Sequence, residues 1–378
     1  MTALTLDSSR LPQSRYAGGV DVGISLNYPT ILPGGATFSL ANLIDLAKRA
    51  EDRGFDTVYL ADAPLGRQTH GAWDQTVLLG SLATATQTIR LATGILQPHH
   101  KNPVYLAAAL ATADTVSNGR TVIGIGIGSG TSGLINREYE ATASLRGDTH
   151  LNGAWLQQRR ILHYEESIDV IRRLWTEEWV SYQGQVYAFD NVTIGLAKPR
   201  QWPHPPIVLA QGIFYPTNPG GPVDYRWRPE LAGKFVLGRP DRIARFGDGW
   251  TCAIASPSEV REAWSVIQTA CVRSGRSEED VRTMHRTYVV WVSVTNNSAA
   301  GEEAAIQMMN SYHGSGIDAE IAQRWSVIGN PDAIVKRLNE YVDAGITSFN
   351  LCPTSPNLEQ EVDALARDVL PYVKRHVA

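Results

Sequence analysis

Eight apolar stretches of strand length recur along the chain, and helical patterns separate them; this alternation restricts the fold more than any other feature. The stretches are 20–26, 55–61, 90–96, 118–130, 207–211, 250–255, 285–294 and 346–351. After the first, Ser39 can cap a helix whose apolar positions Leu40, Leu43, Ile44, Ala47 and Ala50 keep the i, i+3, i+4 spacing, and Gly54 can end it. Similar patterns occupy 73–85, 103–116, 159–175, 238–245, 257–274, 330–344 and 358–373. Strands alternating with helices at this spacing call for parallel pairing through right-handed crossovers. A doubly wound open sheet accepts the same order, but eight units favour closure into an α/β (β/α)8 TIM barrel, with insertions after strands 4, 5 and 7 at 131–158, 213–237 and 296–328. No repeat or low-complexity linker divides the chain. Residues 18–378 therefore read as a single barrel domain, and 1–17 as a flexible N-terminal arm.

The fourth stretch is unusual. The turn signal Asn118-Gly119 opens it, and Gly124, Gly126, Gly128 and Gly130 then alternate with Ile123, Ile125 and Ile127. In a strand this leaves one face apolar and the other without side chains. Interior glycine weakens a strand, so it marks a bulge, a ligand or a close second backbone. The glycines fall at every second position and never complete the G-x-G-x-x-G dinucleotide pattern. Inside a barrel, Gly124, Gly126 and Gly128 are expected to point inward.

Charge and cysteine usage narrow the function. Lys and Arg total 34 against 38 Asp and Glu, a net charge of −4 without a basic block, so neither nucleic acid nor a membrane surface is an expected partner. Cys252, Cys271 and Cys352 are isolated thiols, which suits a reducing, cytoplasmic setting. The segment Met1–Tyr16 lacks the apolar core of a signal peptide. His99 and His100 are adjacent, and no H-x-x-x-H or G-x-S-x-G pattern accompanies them, so no metal site and no serine nucleophile are expected.

Barrel enzymes place their chemistry at the C-terminal ends of the strands. That rule selects Asn27 and Tyr28, Asp62, Gln97 with His99 and His100, Ser129 with Gly130 and Thr131, Gln211 with Gly212, and Cys352 with Thr354. Asp62 ends an apolar strand, where a carboxylate needs a partner or water, or caps the next loop. His99 and His100 can titrate near neutral pH or form a solvated surface pair. Gly238-Arg239-Pro240 offers a glycine and a cation before a helix start, an anion site or a plain turn. Tyr139, Trp155, Phe214, Tyr215, Tyr225 and Trp227 in the insertions suit an apolar or aromatic ligand, or pack a lid.

Together, residues 47–56, 91–95, 119–130, 172–176 with 184–187, 244–250 and 329–331 resemble, in order and spacing, the bacterial-luciferase-like family of flavin- and deazaflavin-dependent oxidoreductases (luciferase-like monooxygenases). The resemblance implies a reduced flavin or deazaflavin ring over the barrel mouth. It implies a third-strand bulge at Thr93, Gly94 and Ile95, in some members with a non-prolyl cis peptide. Gly128, Ser129 and Gly130 would edge the ring, and Gly212 or Gly238 with Arg239 would meet the phosphate end. The strand-end residues Asp62, His99 and His100 are the catalytic candidates, Asp62 also touching the cofactor, and Asn27, Tyr28, Tyr139 and Phe214 the candidate substrate contacts.

Two departures bear on the reaction. Relatives carry Asp-His or Glu-His after the second strand where this chain has Asp62-Ala63, so His70, His99 or His100 would have to handle protons, or the substrate supplies its own acid. Thr131 stands where sugar-phosphate dehydrogenases of the family have glutamate, which makes them poor guides. The leading expectation is a monooxygenase using reduced FMN, delivered by a separate reductase, and oxygen on a small organic substrate. The second is hydride transfer from reduced coenzyme F-420, and the third a flavin-binding protein without turnover. A homo-oligomer, dimer or tetramer, completes the expectation.

Overall fold

The computed structural model describes residues 11–12, 19–26, 39–62, 73–128, 153–216, 223–224, 236–313 and 317–374. Eight strands form its centre: β1 Asp21–Ser25, β2 Thr57–Leu60, β3 Arg90–Leu96, β4 Thr121–Ile125, β5 Ile207–Ala210, β6 Gly249–Cys252, β7 His285–Val294 and β8 Ser348–Pro353. Each pairs in parallel with the next, and β8 pairs with β1, Ser348 opposite Asp21, so the sheet closes as expected.

The helices outside are α1 Leu40–Asp52, α2 Gln75–Ala85, α3 Pro103–Val116, α4 Gly153–Thr176, α5 Pro240–Phe246, α6 Pro257–Arg273, α7 Pro331–Asp343 and α8 Leu358–Asp368. Local chemistry sets their starts. Ser39 forms a capping box with Asn42, while Asn102 and Asn330 cap helices that begin at Pro103 and Pro331. Outward strand residues such as Ile24, Ile123, Leu209, Val290 and Leu351 join the inner helix faces in one continuous core. Trp175 of α4 is fully buried there and donates its indole N–H to Ala107 O at 2.9 Å; truncating such a side chain costs roughly 3–5 kcal/mol.

Several boundaries differ from the sequence reading. The fourth strand stops at Ile125, because β3 shifts register beyond Thr93 and the ladder cannot continue; Gly126 N–H still reaches Leu96 O at 2.9 Å. The insertion after β5 carries three short antiparallel strands, Ile213–Pro216, Val223–Asp224 and Val236–Leu237. The excursion 296–328, expected to be irregular, contains helices Ser298–His313 and Ala319–Trp325, then strand Ser326–Gly329 lying parallel to the end of β7. Leu11–Pro12, within the expected arm, pairs with Gln201–Trp202. Among the described residues no helix is long and apolar enough to cross a membrane.

Candidate functional site

The barrel interior is polar at its N-terminal end. Arg90 Nη1 lies 2.5 Å from Asp21 Oδ2, Thr57 Oγ1 donates to Asp21 Oδ1 at 2.9 Å, and the Tyr59 hydroxyl meets Ser348 Oγ at 2.8 Å. Burial pushes the Tyr59 phenol up, with the Asp21 charge adding to it. Barrel interiors are ordinarily filled by branched apolar residues. Here these groups line an axial cavity of about 20 Å³, capped from above by Thr93, Gly94, Ile95 and Asn350. Asn350 Nδ2 and Thr251 Oγ1 are buried in its wall without a hydrogen-bond partner among the described residues, and the volume suits one water.

The third strand bulges above this cavity. Its register shifts between Thr93 and Leu96, and the Gly94–Ile95 peptide is cis, the form that the resemblance allowed for. Thr93 Oγ1 donates to Gly124 O at 2.7 Å. A Cβ at Gly124 would collide with the Thr93 carbonyl oxygen, and one at Gly126 with Ile95 Cδ1. The bare glycine face is therefore filled first by the neighbouring bulge, and only through it does it make room for a ligand. Gly124 lines the axial cavity with Val122, while Ile123 and Ile125 lie in the outer core, as expected. Gly128 lies beyond the strand with φ +77°, left-handed backbone that favours glycine.

Gln75, the first residue of α2, supports the bulge and was not singled out by its sequence. It is fully buried, and its Nε2 donates to Leu60 O at 2.5 Å and to Ile95 O at 3.3 Å, tying β2 to the bulge. The available signal was a long polar side chain just inside the Asp74 cap. Asp62, at the end of β2, is 8% exposed; its Oδ2 accepts the Gln97 N–H at 3.1 Å, while Oδ1 has no partner among the described residues. Burial raises its carboxyl above the ordinary value, against the opposing pull of the Lys101 charge and the Gln97 amide. Lys101 is itself held 2.5 Å from Asp74 Oδ2.

The remaining candidates disperse. His99 is fully buried rather than solvated, because the turn Pro98–His100 packs against α4: its ring stands 6.4 Å from Tyr164 and 4.3 Å from His100. Gly212 follows β5 beside Gln211, whose carbonyl accepts the Trp250 indole N–H at 2.9 Å. Gly238 precedes Arg239, and the Arg239 guanidinium is 55% exposed and paired to Asp241 at 2.7 Å, so this turn presents a solvated ion pair. Asn27, Tyr28, His70, Ser129, Gly130, Thr131 and Tyr139 lie outside the described residues, and of Phe214 only the backbone is described.

The mouth thus has a buried carboxyl, a bulged strand and a glycine-bare wall on its β2–β4 side. The family described as luciferase-like monooxygenase matches residues 21–213, just over half of the chain. The chain belongs to the luciferase-like monooxygenase family. Its chemistry is that of an oxidoreductase. It is 23% identical to a 5,10-methylenetetrahydromethanopterin reductase of Archaeoglobus fulgidus, covering 86% of this chain and 94% of that one. It is 25% identical to an F-420-dependent glucose-6-phosphate dehydrogenase of Amycolatopsis mediterranei, covering 89% and 96%. An F-420-dependent secondary alcohol dehydrogenase in complex with an F-420-acetone adduct superposes with a TM-score of 0.71 at 17% identity, over 94% of this luciferase-like chain and 99% of the other.

Proposed function

We propose that this chain transfers hydride between coenzyme F-420 and a small organic substrate. The near full-length likeness to an F-420-dependent dehydrogenase carries the choice of cofactor, and it moves the second expectation from the sequence ahead of FMN monooxygenation. The buried polar atoms suit such a group. Gln97 Oε1 is an acceptor without a partner among the described residues, and the pyrimidine edge of a flavin or deazaflavin brings an N–H donor. When bound, the deazaflavin supplies a ring carbon that gives or takes a hydride.

The protein's own residues do the rest. Thr93, Gly94 and Ile95 make the seat, backed by Gly124 and Gly126 and held by Gln75. Asp62 holds a proton at the edge of the mouth: its raised carboxyl stays protonated at higher pH than a solvated aspartate, which suits a group that exchanges a proton with a substrate oxygen. Gly128 would edge the ring, with Gly212 toward the phosphate end.

Titrating the protein separately with F-420 and with FMN, reading cofactor fluorescence, tests the assignment. F-420 binding with little FMN binding is expected. Oxygen consumption with reduced FMN, without F-420 binding, would overturn it in favour of the monooxygenase and its separate reductase. Asp62→Asn is expected to keep cofactor affinity within a fewfold and lower turnover by about 10²-fold or more, while abolishing one limb of the pH profile.

A further inference from the structure

We propose that the axial cavity is a site for one ordered water joining Asn350 Nδ2 to Thr251 Oγ1, and that Asn350 acts through it as a positioning residue for the cofactor seat; this rests on reading the β3 bulge as that seat. Two side chains carry the bulge from beneath. A Cβ at Gly94 would lie 3.1 Å from Asn350 Nδ2 and 3.2 Å from Tyr59 Cδ1, so the backbone of the bulge rests on both. Tyr59 is fixed in place. Its ring fills the space over Gly23 of β1, where a Cβ would come within 2.5 Å of Tyr59 Cε2, and its hydroxyl meets Ser348 Oγ at 2.8 Å. Asn350, fully buried on β8, is held on one side alone: the Cys352 thiol stands 4.0 Å from its Oδ1, and Nδ2 has no partner among the described residues. A buried donor left so carries its whole desolvation penalty, which is why such groups are satisfied by protein or by ordered water.

The cavity supplies what Nδ2 lacks. Gly94, Thr251 and Asn350 all line it, and Thr251 Oγ1 of β6 is a second buried polar atom in its wall without a partner among the described residues. At about 20 Å³ it has room for a water, which needs about 10–15 Å³ and two to four polar neighbours. Asp21 and Arg90 in the same wall neutralise one another at 2.5 Å, which favours a neutral molecule over an ion. A water that accepts from Nδ2 and shares a hydrogen bond with Thr251 Oγ1 ties β8 to β6 and fixes the amide on which Gly94 rests.

Titrations of the full-length protein with F-420 and with FMN, read from cofactor emission and run beside thermal unfolding, test this in Asn350→Leu, Thr251→Val and the double variant, with Trp179→Phe at an exposed position as control. Each single substitution is expected to weaken whichever cofactor the parent binds by about tenfold. The double variant should lose little beyond the worse single, because either change already breaks the bridge. Asn350→Asp adds a rescue: its protonated carboxyl restores the donor, so its affinity relative to the parent should recover on acidification. Asp21, Tyr59, Arg90 and His285 in the wall, and Cys352 beside it, are common to both chains, and the ratio therefore reads residue 350. Parent-like affinity in Asn350→Leu, losses that simply multiply in the double variant, or an Asn350→Asp ratio indifferent to pH overturns the inference. Thr251→Val and the Asn350→Asp ratio decide the matter should Asn350→Leu fold poorly. Cofactor bound by the parent and indifferent to these changes refutes the water-held support alone; a parent that binds neither cofactor refutes the reading of the bulge as a seat, and the inference with it.

Discussion

Glu361 gives the stability of this barrel a specific pH dependence. It lies in the first turn of α8, 4% exposed, and accepts the Val294 N–H at the end of β7 at 2.7 Å. Burial carries its carboxyl from the ordinary 4.5 to about 7, with the Val294 hydrogen bond opposing the shift. Between those values the folded chain keeps a proton that the unfolded chain has released, so stability falls as pH rises from about 4.5 to about 7. At 1.36 kcal/mol per unit, a shift of about 2.5 units amounts to roughly 3 kcal/mol, a large part of the 5–15 kcal/mol typical of a folded protein. Glu361→Gln keeps the shape and the acceptor for Val294 but cannot ionise. Urea unfolding of both proteins should therefore give near-equal stabilities at about pH 4, and a variant more stable by up to roughly 3 kcal/mol at about pH 8. Curves that run parallel across this range would refute the reasoning, because Glu361 would then lose its proton at the same pH in the folded and the unfolded chain.

Two substitutions probe the seat. Gly124→Ala forces a Cβ into the Thr93 carbonyl, and overpacking of this kind costs roughly 1–3 kcal/mol; thermal unfolding should register that loss and F-420 titration a weakened affinity, and unchanged values for both would reject the interlock. Gln75→Leu strips the donor from Leu60 O and Ile95 O, leaving buried carbonyls unpaired at roughly 1–3 kcal/mol each. Its cofactor affinity should fall more than that of Trp179→Phe, a comparison made in the same fluorescence titration.

The barrel was legible because strands covered on both faces read as apolar runs, and because caps such as Ser39 and Asn330 mark helix starts. Where tertiary contacts override local pattern, the sequence was a poorer guide. Nothing near Ile125 announces that β3 shifts register beside it, so the fourth strand reads on past Ile125. The helix Ser298–His313 carries its buried Ala305, Met308 and Met309 at helical spacing, but flanking Asn, Ser and Gly obscure the period. His99 and His100 attract attention by residue type, yet burial against α4 is a long-range fact that adjacency does not encode. Asp62 was legible for the opposite reason: a carboxylate closing an apolar strand requires an explanation from its neighbours alone. Gln75 passes unnoticed in the sequence, because its role depends on the distant bulge that its amide reaches.

The interlock of β3 and β4 also bears on how such a site can diverge. Ile95 Cδ1 occupies the space that a methyl at residue 126 would need, so volume at the two positions is shared between strands. Gly126→Ala alone should push the Ile95 side chain out of its place, and Ile95→Ala alone should leave a hole. The double substitution, returning the methyl to one strand as the side chain recedes on the other, should recover much of what either loses. Descendants of this chain that reshape the seat are thus expected to change the two strands in concert, through paired steps rather than single ones.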